Sequence, residues 1–231
     1  MMNTKKNARI LFLLSAMTAV GFIVLLIGVA TNASFITQFD TYWIDIIRVN
    51  ISATKTDIIA FITNFGGVAA IVVMTILLLL IFILMKRYTI AIWFGGTVLV
   101  GGALLPWLIK QIIARPRPSD MLIEQGGFSF PSGHAAGSTA FYGMIAALLI
   151  IAFTKLWHRI VIGLLAFLII LVIMYTRVYL GVHYPSDVTA GLLLGSTIVL
   201  SGSALFLLYS QSCHHYLLAR NWKDVYLKKF E

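Results

Sequence analysis

The chain consists of long apolar stretches separated by short polar segments. A helix needs about 20 apolar residues to cross the hydrocarbon core of a bilayer. Six stretches qualify, at about residues 10–30, 67–85, 90–113, 135–153, 160–179 and 188–209. The second of them can begin as early as residue 58. This pattern predicts an all-α fold, a bundle of six transmembrane helices.

A shorter segment between the first two spans, residues 34–50, has a different pattern. Its apolar side chains recur at helical spacing, and these are Phe35, Phe39, Trp43, Ile46 and Ile47. Its charged residues lie off that stripe, and these are Asp40, Asp45 and Arg48. Tyr42 and Trp43 suit the headgroup level of a membrane. We predict an interfacial amphipathic helix between helices 1 and 2. The alternative is a loop packed on the bundle.

The first span begins with basic residues, as a secretory signal does. Its apolar run of about 21 residues exceeds the usual 7–15 of a signal sequence, and no clean small-residue cleavage site follows it. We therefore predict that it is retained as a helix.

The composition agrees with a membrane protein. Hydrophobic residues make up 60% of the chain and charged residues only 11%, where soluble domains carry about 25% charged residues. A soluble domain of this size could not bury so much apolar surface. Cys213 is the single cysteine, so an intramolecular disulfide is excluded. We predict one integral membrane domain over residues 1–231.

The net charge of +9 has an explanation in membrane topology. If the N-terminus is cytoplasmic, 11 of the 17 basic residues fall on the inside, and the charges on the outside sum to zero. An excess of Lys and Arg marks the cytoplasmic side. We therefore predict cytoplasmic N- and C-termini and contact with anionic lipid, without a nucleic-acid partner. Nothing in the sequence indicates an obligate protein partner.

Three polar clusters interrupt the apolar pattern at the ends of predicted helices. The first joins Lys110 to Arg117, the second is the Pro-Ser-Gly-His sequence at residues 131–134, and the third joins Arg177 to Asp187. In an alternating six-span bundle, the end of helix 3, the start of helix 4, the end of helix 5 and the start of helix 6 lie on one face. The three clusters are therefore predicted to meet, and the charge count places that face outside.

The residue types in these clusters suit phosphate chemistry. The guanidinium fork of arginine matches phosphate oxygens, and lysine adds a point charge. Ser132 can cap the fourth helix, whose free amides form an anion site with Gly133 allowing close approach. The cations with few acids nearby are Lys110, Arg117 and Arg177. Together these residues predict a phosphate-binding site.

Two histidines complete the candidate chemistry. His183 and Asp187 are one helical turn apart, so the carboxylate can hold the imidazole and fix its tautomer, which makes a good nucleophile. His134 can donate a proton to a leaving oxygen. A metal site is disfavoured, because the cations would repel a metal and the outside acids are scattered along the sequence. No cofactor is predicted. Arg115 and Glu124 are interpreted as residues that order the loop.

These clusters resemble the three-part signature of the type 2 phosphatidic acid phosphatase family, the lipid phosphate phosphatases. The signature is Lys-x6-Arg-Pro, then Pro-Ser-Gly-His, then Ser-Arg-x5-His-x3-Asp. The matching residues are Lys110, Arg117 and Pro118, then residues 131–134, then Arg177, His183 and Asp187. Thr176 stands where the family usually has Ser, which keeps a hydroxyl.

The resemblance implies a role for each matching residue. His183 would attack phosphorus and form a phosphohistidine, Asp187 would orient His183, and His134 would protonate the leaving oxygen. The phosphate oxygens would be held by Lys110, Arg117, Arg177, Ser132 and Gly133. The implied enzyme is a metal-independent phosphatase of the bacterial plasma membrane. It would act at the outer leaflet on phosphatidylglycerophosphate, phosphatidic acid or undecaprenyl diphosphate.

Other functions stay open on the sequence alone. A phosphotransferase on the same scaffold would pass the phosphoryl group to a lipid acceptor. A transporter of anionic lipids could use the basic site without chemistry, although it would not need His183, Asp187 and His134. A vanadate haloperoxidase is excluded on composition, because those enzymes are soluble. Gly191 and Gly195 form a small-xxx-small pair that can pack helices within one chain or join two chains.

Overall fold

The computed structural model describes residues 4–225, which form helices and connecting segments without a strand. Lys228, Lys229 and Glu231, which entered the charge count, lie outside the described residues. The helices are α1 (Thr4–Ala30), α2 (Ser34–Ile47), α3 (Ala53–Thr63), α4 (Val68–Leu84), α5 (Tyr88–Val98), α6 (Leu105–Ile113), α7 (Gly133–Ala152), α8 (Leu156–Tyr179) and α9 (Pro185–Ala219). A 3₁₀ turn (Asn64–Gly66) follows α3, and a π-helical turn (Leu99–Leu104) joins α5 to α6.

Five of these helical segments are long and apolar enough to cross a membrane, and a sixth span exists if α3 and α4 are counted together. α3 and α4 meet at an angle of 40°, where the 3₁₀ turn ends and Gly67 adopts an extended backbone. α5, the π turn and α6 form one continuous span, Tyr88–Ile113. The predicted all-α fold with up to six spans is therefore confirmed. The last helix continues to Ala219, about ten residues beyond the predicted limit.

α2 forms where an amphipathic helix was predicted, but the face that it turns toward the bundle differs from the predicted apolar stripe. Ile36 and Asp40 are buried, whereas Phe35, Trp43 and Ile46 are exposed. Asp40 lies off the predicted apolar stripe, as expected, and nothing in the sequence pattern indicated that it is buried. Its burial is explained by the polar partners described below.

α9 is the central helix: α1 and α7 pack along it, α5 contacts it, and α8 packs mainly against α7. Small residues allow close approach: a Cβ added at Gly191 would lie 2.7 Å from the carbonyl oxygen of Ser132, and one at Gly195 would lie 2.6 Å from Cβ of Thr139. The small-xxx-small pair thus packs α9 against α7 within one chain. On another face, the hydroxyls of Thr18 and Thr197 lie 2.8 Å apart and join α1 to α9.

The ends of α6 and α8 and the starts of α7 and α9 come together at one end of the bundle. The backbone N–H of Ser132, which precedes α7, donates to the carbonyl of Asp187 on α9 at 3.0 Å. The loop between α6 and α7, residues 114–132, covers this end. The prediction that helix parity gathers the three polar clusters is therefore confirmed in geometry.

Candidate active site

The third polar cluster is shaped by the turn between α8 and α9. α8 ends at Tyr179, and Gly181 takes a positive φ of 67°, which glycine tolerates without strain. Pro185 then starts α9, in keeping with its preference for the first helical position. Asp187, in the first turn, accepts a hydrogen bond at 2.9 Å from the backbone N–H of Tyr184. The turn therefore holds the Asp187 carboxylate beside His183.

His183 lies between a carboxylate and a guanidinium. Its Nδ1 is 3.4 Å from Oδ2 of Asp187, and its Nε2 is 3.1 Å from Nη1 of Arg117. With the proton on Nδ1 facing Asp187, the Nε2 lone pair points toward the cations. Burial outweighs the opposing effect of Asp187 and, with a smaller contribution from the charges of Lys110 and Arg117, lowers the pKa of His183 to about 4. The imidazole is therefore neutral at ordinary pH, as a nucleophile must be.

Lys110 and Arg117 lie beside this imidazole, Arg177 lies close to them and to His134, and each cation is held by the loop between α6 and α7. Lys110 Nζ donates to the carbonyls of Phe128 and Ser129 at 2.7 and 3.0 Å. Arg117 Nε donates to the carbonyls of residues 126 and 127 at 3.1 and 3.0 Å. Arg177 donates from Nη1 to Thr63 at 3.0 Å and from Nη2 to Gln125 at 2.9 Å. These contacts orient the cations but do not use all of their donors.

The unused donors indicate where an anion can bind. Arg177 is only 1% exposed, and its buried Nε has no hydrogen-bond partner. Lys110 has a third N–H, and Nη2 of Arg117 has no contact within the site. A buried N–H without a partner costs free energy, so such a group favours a ligand that accepts a hydrogen bond. A phosphate group has that chemistry.

The start of α7 completes the pocket. Ser132 is fully buried and caps the helix by accepting from the N–H of Ala135 at 3.4 Å. No atom lies within 4 Å of a Cβ added at Gly133, so its backbone faces open space. His134 follows on the first turn and is partly exposed, near Gly67 at the break between α3 and α4. Free amides at a helix N-terminus bind anions.

Sequence reasoning missed a second group of polar residues beside the site. Arg115 was interpreted as ordering the loop, yet its Nη1 donates to Asp187 and to Ser186, both at 2.7 Å. Its Nη2 donates to Asp40 of α2 at 2.8 Å. Glu124 is exposed. In the sequence, Asp40 is separated from Arg115 by 75 positions and from Ser186 by 146. No spacing rule connects residues so far apart, so the sequence carried no signal for this group.

An apolar cavity of about 850 Å³ opens onto the same pocket. It lies between α4 on one side and α5, the π turn and α6 on the other, and it is lined along its length by residues such as Val72, Ile76, Leu79 and Val98. Lys110 and Gly133 line one end. The cavity therefore leads from the candidate phosphate donors into the hydrocarbon depth of the bundle.

Within residues 4–225, no group of three or more metal-ligating His, Cys, Asp or Glu side chains is present. The charges around His183 are cations, with Asp187 already paired to Arg115.

Fold and site define a polytopic helical membrane protein with a buried cationic pocket, a carboxylate-held histidine and an adjoining apolar cavity. The chain belongs to the PAP2 superfamily, whose sequence model matches residues 90–211. The matched region contains all three polar clusters. The resemblance noted from the motifs is thereby confirmed.

Named relatives share the central part of the chain. A lipid A 4'-phosphatase of Bacteroides thetaiotaomicron is 40% identical over 99 residues, which cover 38% of this chain and 40% of that protein. Phosphatidylglycerophosphatase B of Bacillus subtilis is 37% identical over 94 residues, covering 40% of this chain and 46% of that protein. The chain thus matches less than half the length of these curated relatives.

Solved structures show the same fold. The transmembrane PAP2-type phosphatidylglycerolphosphate phosphatase from Bacillus subtilis aligns with a TM-score of 0.68 over 88% of this chain and 96% of that one, at 22% identity. LpxE of Aquifex aeolicus aligns with a TM-score of 0.53 over 70% of this chain and 93% of that one, at 23% identity.

Proposed function

We propose that this protein is a membrane lipid phosphatase that works through a phosphohistidine on His183, without a metal or cofactor. The observation that carries the proposal is the convergence of Lys110, Arg117 and Arg177 on a buried histidine that a carboxylate holds. Relatives over the same region are named as phosphatases. We propose that residues 1–231 act as one domain.

The reaction has two displacements. In the first, the Nε2 lone pair of His183 attacks phosphorus, the bond from phosphorus to the lipid oxygen breaks, and His134 gives a proton to that oxygen. In the second, water attacks the phosphohistidine and loses a proton to His134, the P–N bond breaks, and inorganic phosphate leaves. Atoms and charge balance over the cycle, and no redox partner is needed.

The other site residues stabilise the charge that develops on phosphorus. Lys110, Arg117 and the unpartnered Nε of Arg177 face the phosphate oxygens, and the Ser132 hydroxyl and Gly133 amide contribute at the α7 N-terminus. Asp187 holds the Nδ1 proton and compensates the positive charge of the phosphorylated imidazole. Fixed donors of this kind are usually the largest contribution to catalysis.

The apolar cavity supports a lipid substrate. Its lining is hydrocarbon over most of its length, and its polar end is the end with Lys110 and Gly133. A phosphorylated lipid can place its headgroup at His183 and a chain between α4 and α5–α6. One relative is named for phosphatidylglycerophosphate, and a relative from Escherichia coli is named as a putative undecaprenyl-diphosphatase. We propose these two lipids, with phosphatidic acid from the motif resemblance, as the substrates to compare.

We further propose that the protein lies in a bacterial plasma membrane with both termini in the cytoplasm and the site toward the outer leaflet. The charge distribution supports this orientation. α2 would then lie at the outer interface, since Phe35, Tyr42, Trp43 and Ile46 face away from the bundle.

The test is phosphate release by the purified protein in detergent with excess EDTA, on the three lipids. The wild type should release phosphate, and His183→Ala should lose several orders of magnitude of activity, because removal of an essential nucleophile has that effect. Leu164→Ala, on the exposed face of α8, is the matched control and should retain activity.

Three results would contradict the proposal. Full activity in His183→Ala would exclude the nucleophile, and dependence on divalent ions would exclude the metal-free reaction. If labelled phosphate appeared in another lipid instead of in solution, the reaction would be phosphotransfer and not hydrolysis.

A further inference from the structure

We infer that Asp40 of α2 is a positioning residue for catalysis, acting through Arg115 on the Asp187–His183 pair. This inference rests on the proposed function. It concerns Asp40, on a helix that supplies no predicted catalytic group, and Arg115, which was interpreted only as ordering the loop. Its basis is a continuous chain of polar contacts that ends at the candidate nucleophile.

The chain of contacts is short and largely buried. Oδ2 of Asp40 accepts from Nη2 of Arg115 at 2.8 Å, and Oδ1 of Asp187 accepts from Nη1 at 2.7 Å. The side chains of Asp40 and Asp187 are 5% and 0% exposed, and that of Arg115 is 17% exposed. The other oxygen of Asp187 faces Nδ1 of His183. Arg115 therefore touches both carboxylates with separate nitrogens.

A second set of contacts fixes the backbone that carries Asp187. Asp40 accepts from the backbone N–H of Ser186 at 2.7 Å and from its hydroxyl at 2.9 Å. Ser186 immediately precedes Asp187 in the first turn of α9. The guanidinium of Arg115 also stacks on the ring of Tyr184, with Cζ 4.0 Å from the ring centroid. Asp40 and Arg115 thus hold the turn on both sides of the catalytic carboxylate.

Charge balance explains why the second carboxylate matters. If Arg115 faced Asp187 alone, the guanidinium would cancel most of the negative charge that His183 experiences. With Asp40 on its other side, the group of two carboxylates and one guanidinium keeps a net charge of −1 next to His183. Charges act over several ångströms in a poorly solvated site. Asp40 therefore increases the stabilisation of the positively charged phosphohistidine.

The pKa values of Arg115 and Asp40 agree with their being a charged pair. Burial lowers the pKa of the Arg115 guanidinium, but Asp187 and Asp40 raise it by more, so that it lies above its ordinary value. Burial raises the pKa of Asp40, and Arg115 and Ser186 partly oppose this. The carboxylate therefore depends on these two partners to stay ionised, and loss of either would weaken the group.

The test compares Asp40→Asn with wild type in the phosphate-release assay. The substitution keeps the shape and removes the charge. We expect kcat to fall about 10- to 100-fold with KM nearly unchanged, which is the size of effect that misplacement of a catalytic group produces. Inhibition by vanadate, a mimic of the phosphoryl transition state, should weaken by a similar factor. Asp40→Glu should restore part of kcat.

The matched control is Asp120→Asn. Asp120 also pairs with an arginine, Arg48, on the same face of the molecule, but it does not touch Asp187 or His183. We expect this variant to keep kcat and its inhibition by vanadate. A double variant, Asp40→Asn with Arg115→Gln, should lose less activity than the product of the two single losses, because both residues act on Asp187.

Several outcomes would overturn the inference. They are wild-type kcat in Asp40→Asn, an effect confined to KM, and additive losses in the double variant. Because Asp40→Asn can also destabilise the protein, kcat is referred to the folded fraction measured by thermal unfolding, and a loss that disappears after this correction counts against the inference. Failure of the proposed function is distinct, since the wild type itself would then release no phosphate.

Discussion

At the scale of single residues, a few polar groups in the site each make several contacts. Asp187 accepts from His183, from Arg115 and from the backbone of Tyr184. Arg117 touches both the imidazole and the loop. A change at one of these residues therefore alters several contacts together, and effects of neighbouring substitutions should not add.

The protonation of His183 gives a prediction at this scale. Its pKa of about 4 is below the ordinary 6.5, so the neutral form persists in the folded protein as the pH falls through 6.5. The unfolded chain takes up that proton first, and the folded state therefore loses stability between about pH 6.5 and 4. Carbon-13 NMR of labelled histidine, assigned with His183→Ala, should show no titration of His183 above about pH 5.

A titration near pH 6.5 would contradict this expectation. It would mean that water reaches the imidazole, or that Asp187 holds it more strongly than the cations repel its charge.

At the scale of helices, the crossing of α7 and α9 sets the distance between the backbone amides at the start of α7 and the proposed nucleophile His183. The crossing is close because Gly191 faces the carbonyl of Ser132 and the Cβ of Ala135. Ser132 in turn donates its backbone N–H to Asp187. Packing and catalysis thus depend on the same small residue.

We predict that Gly191→Ala destabilises the protein by about 1–3 kcal/mol, the usual effect of overpacking, and lowers kcat by moving Ser132 relative to His183. Gly163→Ala is the matched control: Gly163 lies in the span of α8 and has no atom within 4 Å of the added Cβ. This control should leave stability unchanged or slightly raised, since alanine favours helix more than glycine does. Thermal unfolding in detergent measures the stability of both variants, and the phosphate-release assay measures kcat. Equal melting temperatures for Gly191→Ala and wild type would contradict the packing argument.

At the scale of the whole molecule, the phosphate donors and the apolar cavity form one continuous space. The wall of the cavity includes residues at the break between α3 and α4 and in the π-helical turn, among them Gly66, Leu99 and Gly102. Lipid selection and phosphate chemistry can therefore be separated by substitution.

We predict that Ala103→Trp, which fills the cavity from its exposed wall, lowers kcat/KM for a long-chain lipid phosphate about 10-fold or more. Exclusion of two methylene groups alone costs about 1.6 kcal/mol. A soluble phosphate ester without a long chain should be hydrolysed at the wild-type rate. Ile112→Trp, an exposed α6 position outside the cavity, is the control. Equal losses on both substrates would show that the cavity does not hold the lipid chain.

Most of the fold and the three clusters could be predicted from the sequence because both are encoded locally. Apolar length predicts spans, and helix parity brings Lys110, His134 and Asp187 to one end without any knowledge of packing. Asp40 was beyond reach for a physical reason. Its partners lie far along the chain, and the buried face of α2, with Ile36 and Asp40, is not the apolar stripe of the helix. The cavity is lined partly by a helix break and a π turn, which hydropathy does not encode.

The π-helical turn at Leu99–Leu104 has a consequence for the register of the third span. Its last backbone bond runs from the N–H of Leu105 to the carbonyl of Val100, five residues back. A π turn contains one residue more than the α-helical turn that it replaces. Deletion of one residue there would restore a regular helix and rotate everything beyond it by about 100°. Lys110 would then swing away from the phosphate pocket, although no residue of the signature had been altered.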